Sequence, residues 1–394
     1  MNQSQRTAPS PVGAGGSGVA AIGVDGRDSL QVGRLSDEVR AAIRVSYALR
    51  RVPEPSIRSL LPRPTPPMVG DIVLARVSGI GKNATLDLAN GRRCALHPGD
   101  LIAAVFGHRY ATLQFEGYAA AEADDCHLLS AGGLCGLVAS KHDTMPEPTR
   151  LRLEGALGDA DGRLLRLRTF RLPPLPPRPG AARPRVAVVV GTSMDSGKTH
   201  TARSLVLGLR RTGIRVACIK LTGTAASRDT FTLLDAGACV ALDFLDGGFP
   251  STYRSTLPDL LGLYHLLMEH AAAEGAAWVV IEIADGIIQG ETAALLGSSG
   301  FTSSVDAWLL TATDALGAAG AVHLLRDRAI TPLAVSGLVS RSALGRREVE
   351  AATRIPCVTA GGLAAGELNA GLPVESAAVG RRRRSGEQSA LTLG

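Results

Sequence analysis

One stretch of nine residues constrains the fold more than any other: Gly191-Thr192-Ser193-Met194-Asp195-Ser196-Gly197-Lys198-Thr199. It follows directly on the apolar run 186–190 and directly precedes a helix-forming stretch from His200 to Arg211. Successive backbone N–H groups in such a loop, with the N-terminus of the helix behind it, make a concave positive site suited to phosphate oxygens. Lys198 can reach the terminal phosphates of a ligand held there, and the Thr199 hydroxyl can ligate Mg²⁺. The competing reading, an ordinary glycine turn, leaves the order of strand, loop, Lys-Thr and helix unexplained.

The rest of the C-terminal half fits a loop of this kind. Apolar runs at 185–190, 214–219, 239–244, 278–283, 307–311 and 333–339 alternate with segments of helix length. That alternation predicts an α/β domain with a mostly parallel sheet covered on both faces. Prolines at 173, 174, 176, 177, 179 and 184 forbid a continuous helix or strand just upstream. The expected organisation is therefore a linker at 172–184 and an α/β domain at 185–375.

Upstream the pattern changes to short strands. Asn90-Gly91 between the runs 84–88 and 92–96 predicts a hairpin, and Asp161-Gly162 between 151–157 and 163–169 predicts a second. With 71–77 and 134–140 as further strands, residues 35–171 read as a smaller β-rich domain, of which a barrel is one closed form. Ser36 caps a helix with Asp37 and Glu38 in its first turn, and Val39, Ile43 and Tyr47 extend along one face before Pro53. Residues 1–34 and 376–394 are expected to be disordered.

Composition removes whole classes of function. No apolar run approaches the length of a membrane span, and the first thirty residues lack an export signal. The six cysteines follow no framework spacing, which suits a reducing compartment and makes the cytoplasm the expected location. Net charge is +6, but four consecutive arginines at 381–384 supply much of it, arguing against a nucleic-acid partner. Only four of the 42 basic residues are lysines, Lys82, Lys141, Lys198 and Lys220, a skew that genomic base composition usually produces; against it, a position that keeps lysine is a lead to a need for a compact ammonium, and Lys198 and Lys220 stand out.

The loop Gly-Thr-x-x-x-x-Gly-Lys-Thr resembles the P-loop of dethiobiotin synthetase and its relatives, including the synthetase domains of corrinoid amidation enzymes. Ser193 stands where partitioning and arsenical-pump ATPases of that superfamily carry an additional lysine. The resemblance covers about 185–359. It implies that residues 191–200, including His200, bind ATP, and that Lys220, at the end of the second strand run, faces the substrate. It further implies Mg²⁺ near Thr199, Asp229 and Glu282, with Asp235 as a rival to Asp229, and a substrate loop containing Pro250, Ser251 and Thr252. Related synthetases complete their sites across a dimer. Two departures stand out: the guanine-reading Asn-Lys-x-Asp element is absent, with Thr311-Ala312-Thr313-Asp314 in its region, and Ser340-Arg341-Ser342 replaces the base-reading asparagine.

Gln289 and Glu291 are positioned to face the same crevice. In the β-rich region His97, His108, Cys126, His127, Cys135 and His142 match no closed zinc spacing, and Arg109 with Tyr110 reads more readily as a surface pair than as a ligand contact. The resulting expectation is an Mg²⁺-ATP enzyme activating a carboxylate or carbamate of a small molecule by phosphoryl transfer, a ligase or kinase, with Lys198 and Lys220 as catalytic residues. Two alternatives differ in class: a nucleotide-dependent switch or metal-delivery protein acting on a protein partner, and a P-loop protein that binds a phosphorylated acyl donor without hydrolysing it.

Overall fold

The computed structural model describes residues 30–176 and 182–372. Residues 1–29, 177–181 and the basic tail at 376–394 lie outside the described residues. Residues 30–34 depart from the disorder expected of them: Leu30 is buried, its N–H donates to Glu154, and Gly33–Arg34 pairs with Ser59–Leu61.

Six strands, Arg185–Gly191, Val216–Lys220, Ala241–Asp243, Trp278–Glu282, Ala307–Thr311 and Ala334–Ser336, form one sheet whose neighbours are all parallel. In space the order is third, second, fourth, first, fifth, sixth. The strand leading into the glycine loop is therefore an inner one. Its alternate residues point to two separate apolar layers: Ala187 and Val189 pack with Leu205, Leu209 and Leu363, while Val186, Val188 and Val190 pack with Leu263, Leu267 and Val322. Burial on both faces is why these strands read as unbroken apolar runs.

Five strands of the N-terminal half close into a ring. Ile72–Gly79 pairs with Leu101–Phe106, which pairs with Leu134–Lys141; that strand pairs with Asp125–Leu128, then Thr149–Gly158, which returns to Ile72–Gly79. The β-rich region is thus a small closed barrel, which removes the edges an open sheet of this size would expose. Alternation decides what fills it: Val73, Ala75 and Val77 point inward with Leu128, Cys135 and Leu151, whereas Ile72 and Leu74 point outward. Cys126 and Cys135 are inert filling, the Cys135 thiol being held well above its ordinary range by burial. All six cysteines are free.

Local expectations met two limits. Thr85–Asp87 and Arg93–Ala95 do pair across Gly91, with φ +83°, but the arm after Gly162 makes only isolated bridges, Leu164 to Gly158 and Arg166 to Asp71, before a 3₁₀ turn at Leu167–Phe170. The capped helix is Asp37–Ala42, with Ser36 accepting from the Val39 N–H, and it stops short of Tyr47. Tyr47 lies instead in a 3₁₀ turn, Tyr47–Leu49, after Arg44–Val45 has joined the barrel strand Leu101–Phe106.

The barrel's outward residues are shared with the parallel sheet. Ile72, Leu74, Val105 and Leu134 belong to one continuous apolar cluster that also contains Tyr47, Leu49, Val188, Ile219 and Phe244. Above it, Arg50 donates to both Asp243 and Asp246, at 2.9 and 2.7 Å, and Arg51 adds a contact to Asp246 at 3.3 Å. Among the described residues no helix is long and apolar enough to cross a membrane.

Candidate functional site

The glycine loop leaves its strand at Gly191, where a Cβ would lie 2.4 Å from the Ser196 hydroxyl and 2.8 Å from that of Thr311, so only glycine fits. Asp195 (φ 61°) and Gly197 (φ 103°) are both left-handed, and this curls the loop around its own N–H groups before the helix Lys198–Arg210 begins. The Thr192 N–H is tied to the Thr311 carbonyl at 2.9 Å, anchoring the loop to the next strand. Lys198 crosses the cradle and donates to the Ser193 carbonyl at 2.8 Å. Burial pushes its pKa down, and the nearby Glu282 and Asp285 offset part of that.

Register brings the remaining charged residues to the same edge. Lys220 is paired directly with Glu282 on one neighbouring strand and with Asp243 on the other. The Lys220 ammonium makes an ion pair with Asp229 and lies 3.8 Å from Glu282 Oε1, which also accepts from the Thr199 hydroxyl at 3.0 Å. Burial alone would lower the Lys220 pKa, but Asp229 and Glu282 outweigh it and hold the ammonium protonated. Glu282 is 3% exposed and its Oε2 has no hydrogen-bond partner; burial raises its pKa against the pull of Lys220. Asp235 also borders the cavity, but it is Asp229 that reaches the Lys220–Glu282 pair.

The turn after Glu282 supplies a residue that received no role from the sequence. Gly286 lies against the glycine loop, where a Cβ would be 2.6 Å from the Thr192 carbonyl, and Ile287 donates to the Gly191 carbonyl at 2.9 Å. That contact sets Asp285, at φ 60°, beside the cradle, where burial pushes its carboxyl up to about 6 against the influence of Lys198 and Lys220. Its place three residues after a strand-ending acid was the only available signal.

These groups line one side of a cavity of about 870 Å³ whose other side is the barrel. The barrel contributes Lys82, Asn83, Thr85, Arg93, Arg109 and Gln114. Arg109 is 6% exposed, which corrects its reading as a surface residue: the strand Leu101–Phe106 delivers it into the wall beside Phe115. Met194, Asp195, Gly197, Thr199 and His200 also border the cavity.

The expected substrate loop is arranged differently. The Ser251 hydroxyl donates to the His108 carbonyl, and Pro250 packs on Gly107, so both belong to the seam between barrel and sheet. Thr252 is committed to Gly223, accepting from its N–H at 2.8 Å, beside a small recess that also touches Asp285 and Gln289. Gln289 caps the helix Gly290–Leu296, and Glu291 accepts from the Arg254 N–H. In the barrel His108 Nδ1 and His127 Nδ1 each accept a backbone N–H, from Ala119 and Val138, and no group of three His, Cys, Asp or Glu residues is gathered for a metal among the described residues.

The donor set does fit Mg²⁺ carried in with phosphates, which asks a protein for only one or two carboxylates and a hydroxyl. Thr199 and Glu282 are in contact, Asp229 is adjacent through Lys220, and the unpartnered Glu282 oxygen is free to accept.

No protein-family model matches the chain, and no curated protein matches it significantly. Among solved structures it is similar to the 54 kDa protein of the signal recognition particle from Aeropyrum pernix K1 in complex with GDP, at 20% identity and TM-score 0.33, over 46% of this chain and 41% of that one. It is also similar to the signal recognition particle receptor FtsY from Elizabethkingia anophelis in complex with GDP, at 17% identity and TM-score 0.28, over 42% and 52%. Chloroplast FtsY from Physcomitrella patens gives 18% identity and TM-score 0.31, over 48% and 62%. The chain thus spans less than two thirds of each of these structures. Its own strand order and glycine loop are those of a P-loop NTPase fold joined to a β-barrel.

Proposed function

We propose that the protein is an Mg²⁺-ATP-dependent enzyme that phosphorylates an oxygen nucleophile, a carboxylate or carbamate, of a small acceptor held between the glycine loop and the barrel. Ligation or ring closure then consumes the activated product, as the resemblance to the dethiobiotin synthetases implies. The observation that carries this reading is the placement of Lys220 and Glu282 at one level of adjacent strands, beside Lys198 and Thr199, in a cavity with a second protein wall.

In this scheme the loop N–H groups hold the β- and γ-phosphates, and Lys198 exchanges the Ser193 carbonyl for a phosphate oxygen. The acceptor oxygen forms a bond to the γ-phosphorus as the β,γ-bridging bond breaks and ADP departs. Lys220 exchanges part of its contact with Asp229 for the acceptor's negative oxygen and so sets its line of approach. Mg²⁺, when bound, neutralises charge on the terminal phosphates. A loose transition state of this kind depends on placement and electrostatics and requires no protein nucleophile.

ATP is favoured over GTP because Asp314, the one carboxylate in the region of the guanine-reading element, is spent as a helix cap, accepting from the Gly317 N–H at 2.7 Å. The test is ADP or GDP release with each nucleotide and a panel of small carboxylates and amines, with Lys198→Ala as control. Stimulation by one panel member supports the reading. Slow hydrolysis indifferent to the whole panel and to nucleotide choice replaces it with a switch acting on a protein partner.

A further inference from the structure

We infer that Arg109 anchors a second anionic group of the acceptor at the barrel end of the cavity, so that the acceptor carries two oxyanion groups, one reacting near Lys220 and one held by the guanidinium. The inference rests on the reading above for the reacting end and on separate observations for the anchored end.

The partly buried Arg50 and Arg76 are matched by carboxylates, Arg50 by Asp243 and Asp246, Arg76 by Glu154 at 2.7 Å. Arg109 is more deeply buried than either and makes no ion pair among the described residues. One terminal nitrogen donates to the Leu129 carbonyl, the other to Gln114 Oε1 at 2.7 Å, and Nε has no acceptor at all. A desolvated charge without a counter-ion is costly, and burial accordingly drags the group down to about 10. It nonetheless remains charged at neutral pH.

The nearest carboxylate to influence it is Asp285, which the same cavity shares with Lys198 and Lys220. Neutral partners hold the guanidinium in place using one hydrogen of each terminal nitrogen, which leaves the second hydrogen of each to meet an anion in the cavity that Arg109 lines, and its planar fork suits a carboxylate or a phosphate. It lines the same cavity as the glycine loop, from the barrel. Lys198 and Lys220 already serve the phosphoryl position, which leaves Arg109 for the far end of the acceptor.

Calorimetric titration of the full chain without nucleotide tests this directly, using succinate, glutarate and adipate, 3-phosphonopropionate as the phosphate-type arm, and butyrate and valerate as single-anion controls. At least one two-anion probe should bind about tenfold or more tightly than the single-anion control of similar length. Arg109→Gln should abolish that margin while leaving nucleotide binding intact, and Arg109→Lys, which keeps the charge but loses the fork, should shrink it. If Arg109→Gln does not fold, the lysine variant decides.

Equal affinity for one- and two-anion probes overturns the anchor, as does a margin that survives loss of Arg109, or no binding at concentrations up to about 10 mM. An Arg109→Gln defect confined to nucleotide turnover also overturns it, placing the residue on the transferring phosphoryl group. A protein that binds two-anion probes through Arg109 yet releases no ADP with any panel member keeps the anchor and loses the phosphoryl-transfer reading.

Discussion

At the outer part of the parallel sheet, Asp243 and Asp246 are buried with Arg50 and Arg51; one strand further in, Lys220 and Glu282 are buried with Lys198, Asp229 and Asp285. The first group is closed. Asp243 also accepts from the Leu245 N–H and the Thr230 hydroxyl, and Asp246 from the Asp243 N–H, so each charge is compensated. The second is open: among the described residues Glu282 keeps an oxygen without a partner, Asp285 makes no ion pair, and Arg109, lining the same cavity, leaves Nε without an acceptor. Buried charge that is fully partnered holds two parts of a fold together, whereas buried charge left incomplete is poised for something that arrives later.

The largest effect that would sharpen this contrast is kinetic. Lys198→Ala should lower nucleotide turnover by about three orders of magnitude in steady-state assays while leaving the melting temperature unchanged or higher, because it removes a desolvated ammonium. A large fall in melting temperature would make Lys198 a structural charge and erase the distinction. Arg50→Ala should do the reverse, costing about 3–5 kcal/mol in urea denaturation by stranding two buried carboxylates. A loss below about 1 kcal/mol would show that the closed cluster is not what joins barrel to sheet.

Asp285 offers a test by pH. Its carboxyl is raised from 3.8 to about 6. As pH climbs from 4 to 6 the unfolded chain ionises first, so the native state loses relative stability over that window and does not regain it above. Asp285→Asn should therefore raise stability by about 2–3 kcal/mol at pH 8, with the gain fading to nothing by pH 4. Thermal melts across that range check it, and a gain independent of pH would sink the assignment. The smallest effect belongs to an exposed acid already in use: Asp314→Ala should cost about 1 kcal/mol as a lost cap and leave the preference between ATP and GTP unaltered.

How far the site could be read from the sequence depended on how local its determinants are. Lys220 and Glu282 each end an apolar run, and Lys198 and Thr199 open the helix reached through the glycine loop from another; in a parallel sheet those ends necessarily gather at one edge, so their meeting follows from chain order alone. The strand runs were legible for the same reason. A barrel was one of the forms expected, but the strand that closes it, Asp125–Leu128, was not legible, because its polar residues read as a loop until it bridges Leu134–Lys141 to Thr149–Gly158. Arg109 was misread along with it: its burial is created by Leu129 and Phe115, which only the closed barrel brings near. Ser251, expected in a substrate loop, shows a contact the sequence could not reveal: its hydroxyl donates to the His108 carbonyl across the seam between barrel and sheet.

The apolar cluster that runs unbroken from the barrel's outer face into the parallel sheet has a mechanical consequence. Opening the cavity would mean tearing that common interior, so its two walls behave as the fixed jaws of a calliper. Such a gap measures ligand length: across a homologous series of acceptors, affinity should peak sharply at one chain length, and the preferred length is that of the space between Lys220 and Arg109.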